Sequence, residues 1–190
     1  MKTLLAAVLA LALSPVAVGQ TLVIIDTRAQ DLRVVEAGEE VLYLPRIALG
    51  RGGTSMQRER GDRTTPLGSF RVAWINEESR FHLFFGLDFP NFDHASRAYD
   101  AGELPLDEFL AVTDALRERR LPPQETGLGG SIGIHGVGDA DPDIHRRLNW
   151  TRGCVAVTDE EMEALAEYVD IGTRVVITEN APARASAASR

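Results

Sequence analysis

Short runs of β-branched and aromatic residues alternate with Gly- and Pro-marked turns along this chain, a pattern that predicts a mainly β (α+β) fold. Thr21–Asp26 and Leu32–Val35, joined by a polar turn, predict a hairpin, and Val41–Leu49 predicts a third strand with Pro45 at an edge or bulge. After the Gly50-Arg-Gly-Gly break, the charged segment to Arg63 predicts a surface loop. Ser69–Ile75 and the aromatic-rich Phe81–Leu87 predict two further strands, followed by a turn-prone connection at Asp88–Asp93. Ser131–His135 and Cys154–Val157 are brief apolar runs of the buried-strand kind, and Thr173–Thr178 predicts the last strand.

Two segments carry a helical period instead. Pro105–Arg120 places Leu106, Phe109, Leu110 and Leu116 on one face, opens on Pro105, and collects Arg117, Arg119 and Arg120 at its C-terminal end. It lies in an insertion, 93–123, that can border a site and control water access. The second helix starts at a capping box, Thr158 with Glu161, runs to Val169 and closes at Gly172, with Met162, Leu165, Ala166 and Val169 inward. Asp141-Pro142 caps a helical turn through Leu148.

The length suits one domain with a real core, here 20–180, with no internal repeat and no linker that would divide it. Residues 1–19 have the early cation, the short apolar run Leu4–Leu13 and the small-residue exit (Ala17, Gly19) of a secretory signal peptide cleaved before Gln20. An uncleaved anchor is the rival reading; no cysteine follows the run, so no lipid anchor is expected. Residues 181–190 form a small-residue tail expected to be disordered. The expected location is therefore the periplasm, beyond the inner membrane.

Charge narrows the partners. A net charge of -8 gives no basic footprint for nucleic acid and no attraction to anionic lipid surfaces. Lysine occurs only at Lys2, inside the leader, so the mature chain has no Ser/Lys dyad and no Schiff-base lysine. The single cysteine, Cys154, cannot close an internal disulfide; in an exported chain it is either an inert buried thiol or a working one.

His135 ends one short strand and Cys154 begins another. An imidazole and a thiol meeting at one sheet edge are the minimal set for thiolate attack on a carbonyl, the histidine taking the proton. Gly153 allows close backbone approach, and the N–H groups of Gly153 and Cys154 can face a developing oxyanion. Thr151 orients His135 or its loop through the hydroxyl, or is simply a turn residue. Trp150 walls a substrate groove or belongs to the core. Arg152, with Gly136 beside it in the candidate site, can engage substrate, the arginine through carboxylates; Arg146 and Arg147 read as solvated charges. His82 and His94 read as core-edge or surface residues, and His145 as a loop histidine that can border the site. No His-Glu-x-x-His or Cys-x-x-Cys occurs, so no metal site and no cofactor are expected.

His135-Gly, a loop, and then Thr151-Arg-Gly-Cys-Val resembles the signature of the L,D-transpeptidase catalytic domain, the YkuD family. Gly61-Asp-Arg-Thr-Thr-Pro-Leu-Gly-Ser-Phe and Asp88-Phe-Pro-Asn resemble two upstream elements of the same family, so the likeness runs from Thr21 to Thr178. Arg152 stands where many members have a second histidine, and Ala156 where an arginine is common; both departures resemble the YafK-like branch. The resemblance implies an L,D-transpeptidase-like β-sandwich with two helices. It also implies a cysteine acyltransferase on peptidoglycan stem peptides, in which Cys154 attacks at the L-centre of diaminopimelate with His135 as base. An amine acceptor gives a cross-link or attachment of a wall protein; water gives a peptidase. A non-catalytic wall-binding protein with an inert Cys154 is the alternative of another class.

Overall fold

The computed structural model describes residues 20–183, so the expected leader and all but the first residues of the expected tail lie outside the described residues. The strands are β1 (Leu22–Asp26), β2 (Asp31–Glu36), β3 (Glu39–Pro45), β4 (Thr54–Ser55), β5 (Thr65–Pro66), β6 (Gly68–Ser79), β7 (His82–Leu87), β8 (Gly133–His135), β9 (Val155–Ala156) and β10 (Arg174–Thr178). The helices are α1 (Phe92–Asp100), α2 (Leu106–Arg117), α3 (Pro142–His145) and α4 (Asp159–Ala166).

Eight strands form one sheet in the order β3-β2-β1-β10-β6-β7-β8-β9, and β4 pairs with β5 apart from it. The first and last strands of the domain lie side by side, β1 parallel to β10 from Leu22↔Arg174 to Asp26↔Thr178. Strand β6 is long enough to serve both halves: Gly68–Arg71 pair with β10, and Val72–Ser79 with β7. Alternation follows burial, with Val23 and Ile25 of β1 and Val175 and Ile177 of β10 pointing into the core. Each such side chain contributes roughly 1.5–3 kcal/mol by leaving water.

The expected third strand divides. β3 stops at Pro45; Arg46 takes φ 60°, and the chain crosses to the far edge of the sheet. There Ala48 exchanges hydrogen bonds with Ala156 (2.9 and 2.8 Å), and the Thr151 N–H donates to the Leu49 carbonyl (3.1 Å). One apolar run read as one strand therefore belongs to both ends of the sheet, and it folds the sheet over its core as a sandwich. Buried Ile47, Ala48 and Leu49 brace β9 from outside.

The 93–123 insertion holds a helical pair, not one helix. α1 was hidden because its inward positions are His94, Ala95 and Ala98, too small and polar to give an apolar stripe; Asn91 caps it by accepting the His94 N–H (3.1 Å). In α2 the buried face is Val112 and Ala115, with Phe109 and Leu116 beside them, while Leu106 and Leu110 face water. The helix after Cys154 carries the expected capping box and buries Met162 and Leu165 completely.

Candidate active site

The parallel register of β8 and β9 pairs Ile134 with Val155 and His135 with Ala156. Cys154 immediately precedes Val155, so the register brings the start of β9 alongside the end of β8, where His135 stands. The strands are shorter than expected, and Cys154 stands just outside β9, at the end of a tight turn.

His135 is 2 % exposed and held from three sides by aromatic rings. Phe81 stacks on it at 4.4 Å between centroids, Phe84 at 6.0 Å, and Trp150 meets it edge-on at 5.7 Å. Nδ1 lies 2.6 Å from the Gly136 carbonyl. A carbonyl only accepts, so Nδ1 carries the hydrogen and the neutral ring keeps its lone pair on Nε2. Burial pushes the imidazole down to about 4, opposed by that carbonyl, so the ring is neutral at pH 7. Gly136 is thus the anchor of the base. It must be glycine: a Cβ there would fall on Asp159 Oδ1, the atom that accepts the Gly138 N–H (2.9 Å).

The thiol of Cys154 donates to the Ser131 carbonyl at 3.4 Å; Ser131 adopts φ 54°, a left-handed turn. Burial pushes the thiol up to about 11, while the Gly133 N–H and the Arg58 guanidinium pull it down. At rest the pair is a neutral thiol with a neutral imidazole. Such a pair supports attack assisted by proton transfer at the moment of reaction, not a standing ion pair.

The cation beside the sulfur is Arg58, from the segment expected to be a surface loop. It is 7 % exposed, donates from Nη1 to the Thr64 carbonyl (2.9 Å) and sits over the Phe89 ring at 5.3 Å. The signal available in the sequence was an arginine three residues before Gly61-Asp62, and charge alone argued for solvent. Arg152, in the Cys turn, is exposed.

Of the alternatives expected for Thr151, its hydrogen bonds are those of a residue that holds its own turn, and they also engage Gly153. The Thr151 hydroxyl donates to the Cys154 carbonyl (2.7 Å) and accepts the Gly153 N–H (3.1 Å). It clamps the turn and does not touch His135. The Gly153 N–H is therefore spent, leaving the Cys154 N–H as the remaining donor of the expected oxyanion pair. Gly153 takes φ 124°, and a Cβ there would lie 2.6 Å from Arg58 Nη1 and 2.7 Å from the Thr64 carbonyl. Trp150 forms a wall against His135, and its Nε1–H donates to Nδ1 of His145 at 3.3 Å. His145 is 4 % exposed, so it is a buried support of that wall and not a solvated loop residue. His94 is buried against Phe70 and Phe89, and His82 is exposed beside Glu163. Among the described residues no group of three potential metal ligands comes together. No helix among them is long and apolar enough to cross a membrane.

Residues 20–177 match the family model of the L,D-transpeptidase catalytic domain. No curated protein sequence gives a significant match. Among solved structures, the helical cell shape determining protein Pgp2 from Campylobacter jejuni superposes with a TM-score of 0.59 at 22 % identity, over 90 % of this chain and 51 % of that one. Bd1075 from Bdellovibrio bacteriovorus superposes with a TM-score of 0.51 at 19 % identity, over 85 % of this chain and 48 % of its own. The chain thus spans about half the length of these two structures.

Proposed function

The chain belongs to the family of L,D-transpeptidase catalytic domains, and we propose that it is an exported cysteine acyltransferase acting on peptidoglycan stem peptides in the periplasm. What supports this reading is the β8–β9 register, which sets Val155, the neighbour of Cys154, beside Ile134, the neighbour of His135, together with the His135 Nδ1–H committed to Gly136. Nε2 of His135 removes the Cys154 proton as sulfur bonds to the carbonyl carbon at the L-centre of diaminopimelate. The Cys154 N–H faces the developing oxyanion. The C–N bond then breaks, and the imidazolium returns its proton to the leaving amine. An amine of a neighbouring stem, or of a wall-attached protein, resolves the acyl-enzyme and gives transfer; water gives hydrolysis.

Purified peptidoglycan is incubated with the protein and with its Cys154→Ala form, digested and read by mass spectrometry. New peptide dimers with the native protein alone support transfer, and shortened peptides place it with the hydrolases of the same mechanism. Identical products from both forms overturn the enzyme reading in favour of a wall-binding protein.

A further inference from the structure

Two of the rings around His135, Phe81 and Phe84, are purely apolar, whereas the third, Trp150, carries a donor. A half-buried tryptophan settles where its indole N–H finds an acceptor. Its backbone is fixed by Arg51, whose Nε donates to the Trp150 carbonyl (3.1 Å). At the other end the indole N–H meets Nδ1 of His145 at 3.3 Å, and among the described residues this is the one hydrogen bond the His145 ring makes. His145 is the last residue of α3, a single turn capped by Asp141, and its own N–H donates to the Asp141 carbonyl (3.1 Å). A ring nitrogen that accepts carries no hydrogen, so His145 holds its proton on Nε2, the opposite tautomer to His135. Burial, and after it Arg146, lower His145, with Asp159 opposing them, so at pH 7 the ring is neutral and able to accept.

We propose that His145 is a positioning residue for the base: by accepting the indole N–H it holds the edge of Trp150 against His135 and keeps water off that ring. The role rests on the reading of His135 as base; the tie from His145 through Trp150 to His135 belongs to the resting protein. A donor left unpaired inside is costly, so without its acceptor the indole turns toward water and His135 loses one of its three walls. Water at the imidazole favours the charged form, which cannot take a proton from the thiol. The charged groups facing His135 are Arg80, over the Phe81 ring at 4.6 Å, and Asp159; His145 itself also disfavours a charge there. Arg46, Arg146, Arg147, Asp159 and Glu160 line the two hollows beside His145.

The test compares the full chain with its His145→Phe and His145→Asn forms. Phenylalanine keeps a ring and offers no acceptor; asparagine gives up the ring and sets Oδ1 near the place of Nδ1. Both remove the charge His145 can carry, so that loss cancels between them. The His135 ring carbons, assigned with a His135→Asn form, are titrated by NMR without substrate. The native midpoint is expected near 4. The phenylalanine form is expected to titrate at least about half a pH unit above the asparagine form, threefold in the protonation equilibrium. A role in filling space predicts the reverse order, because asparagine leaves the larger void. A smaller gap, or the reverse order, overturns the proposal. In the native protein the imidazole nitrogen shifts are expected to show Nε2–H at His145; Nδ1–H there overturns the proposal whether or not the variants fold. Acylation of Cys154 is measured apart, and its absence from the native protein overturns the proposed function while the tie is judged by the titration.

Discussion

Thr151→Val removes one oxygen from the turn that presents Cys154 and leaves its volume almost unchanged. Thr151 is 4 % exposed, and its hydroxyl satisfies two backbone groups, the Cys154 carbonyl at 2.7 Å and the Gly153 N–H at 3.1 Å. An orphaned buried group costs about 1–3 kcal/mol, so the pair predicts a loss of roughly 2–5 kcal/mol, nearer the lower figure where the turn relaxes toward water. For a domain of this size each kcal/mol lowers the midpoint by about 2–4 °C, giving a drop of roughly 4–20 °C. Thr151→Ser keeps the hydroxyl and loses one methyl, and should cost about 1 kcal/mol. Urea unfolding of the three proteins measures this directly, and acylation of Cys154 should slow in the valine form and recover in the serine form. If valine lies within about 0.5 kcal/mol of native, or serine is as damaging as valine, then the clamp is not what holds the turn.

Gly136→Ala would drive its Cβ onto Asp159 Oδ1 and to 2.8 Å from the Phe81 carbonyl, shifting the carbonyl that fixes His135. Overpacking of this kind costs about 1–3 kcal/mol, and a misplaced base slows acylation on the order of 100-fold; an unchanged rate would show that Gly136 is not the anchor. The pH profile has a direction set by burial. With His135 lowered from 6.5 to about 4, the native ring stays neutral in that interval while the unfolded ring takes a proton. Stability is therefore full above pH 6.5 and falls toward pH 4, by up to about 3 kcal/mol from this ring, and acylation should lose half its rate near the lower value. An acid limb centred at the ordinary histidine value contradicts the buried neutral base. The thiol, raised to about 11, should be alkylated by iodoacetamide ever faster as pH climbs past 9, the rate levelling only near 11.

Elements with local signals were legible from the residues alone. Alternation of apolar residues marked β1, β2, β6, β7 and β10, and the pairing of Thr158 with Glu161 marked the start of α4, because both depend on neighbours a few residues apart. The motifs around His135 and Cys154 were legible for the same reason: each is contiguous. Which distant groups come to stand against them emerged only from the folded chain. The run Val41–Leu49 broke at Arg46 because the edge of β9 needed a hydrogen-bonding partner for Ala156, a need no local pattern records. Arg58 went inward because the Thr64 carbonyl and the Phe89 ring, from other segments, offered its charge a place out of water. Thr151 became a clamp because the Cys turn left a carbonyl and an N–H without partners where Thr151 and Gly153 are buried. Periodicity fixes which face of an element seeks the core, but the partners of buried polar groups are settled only when the chain has folded around them.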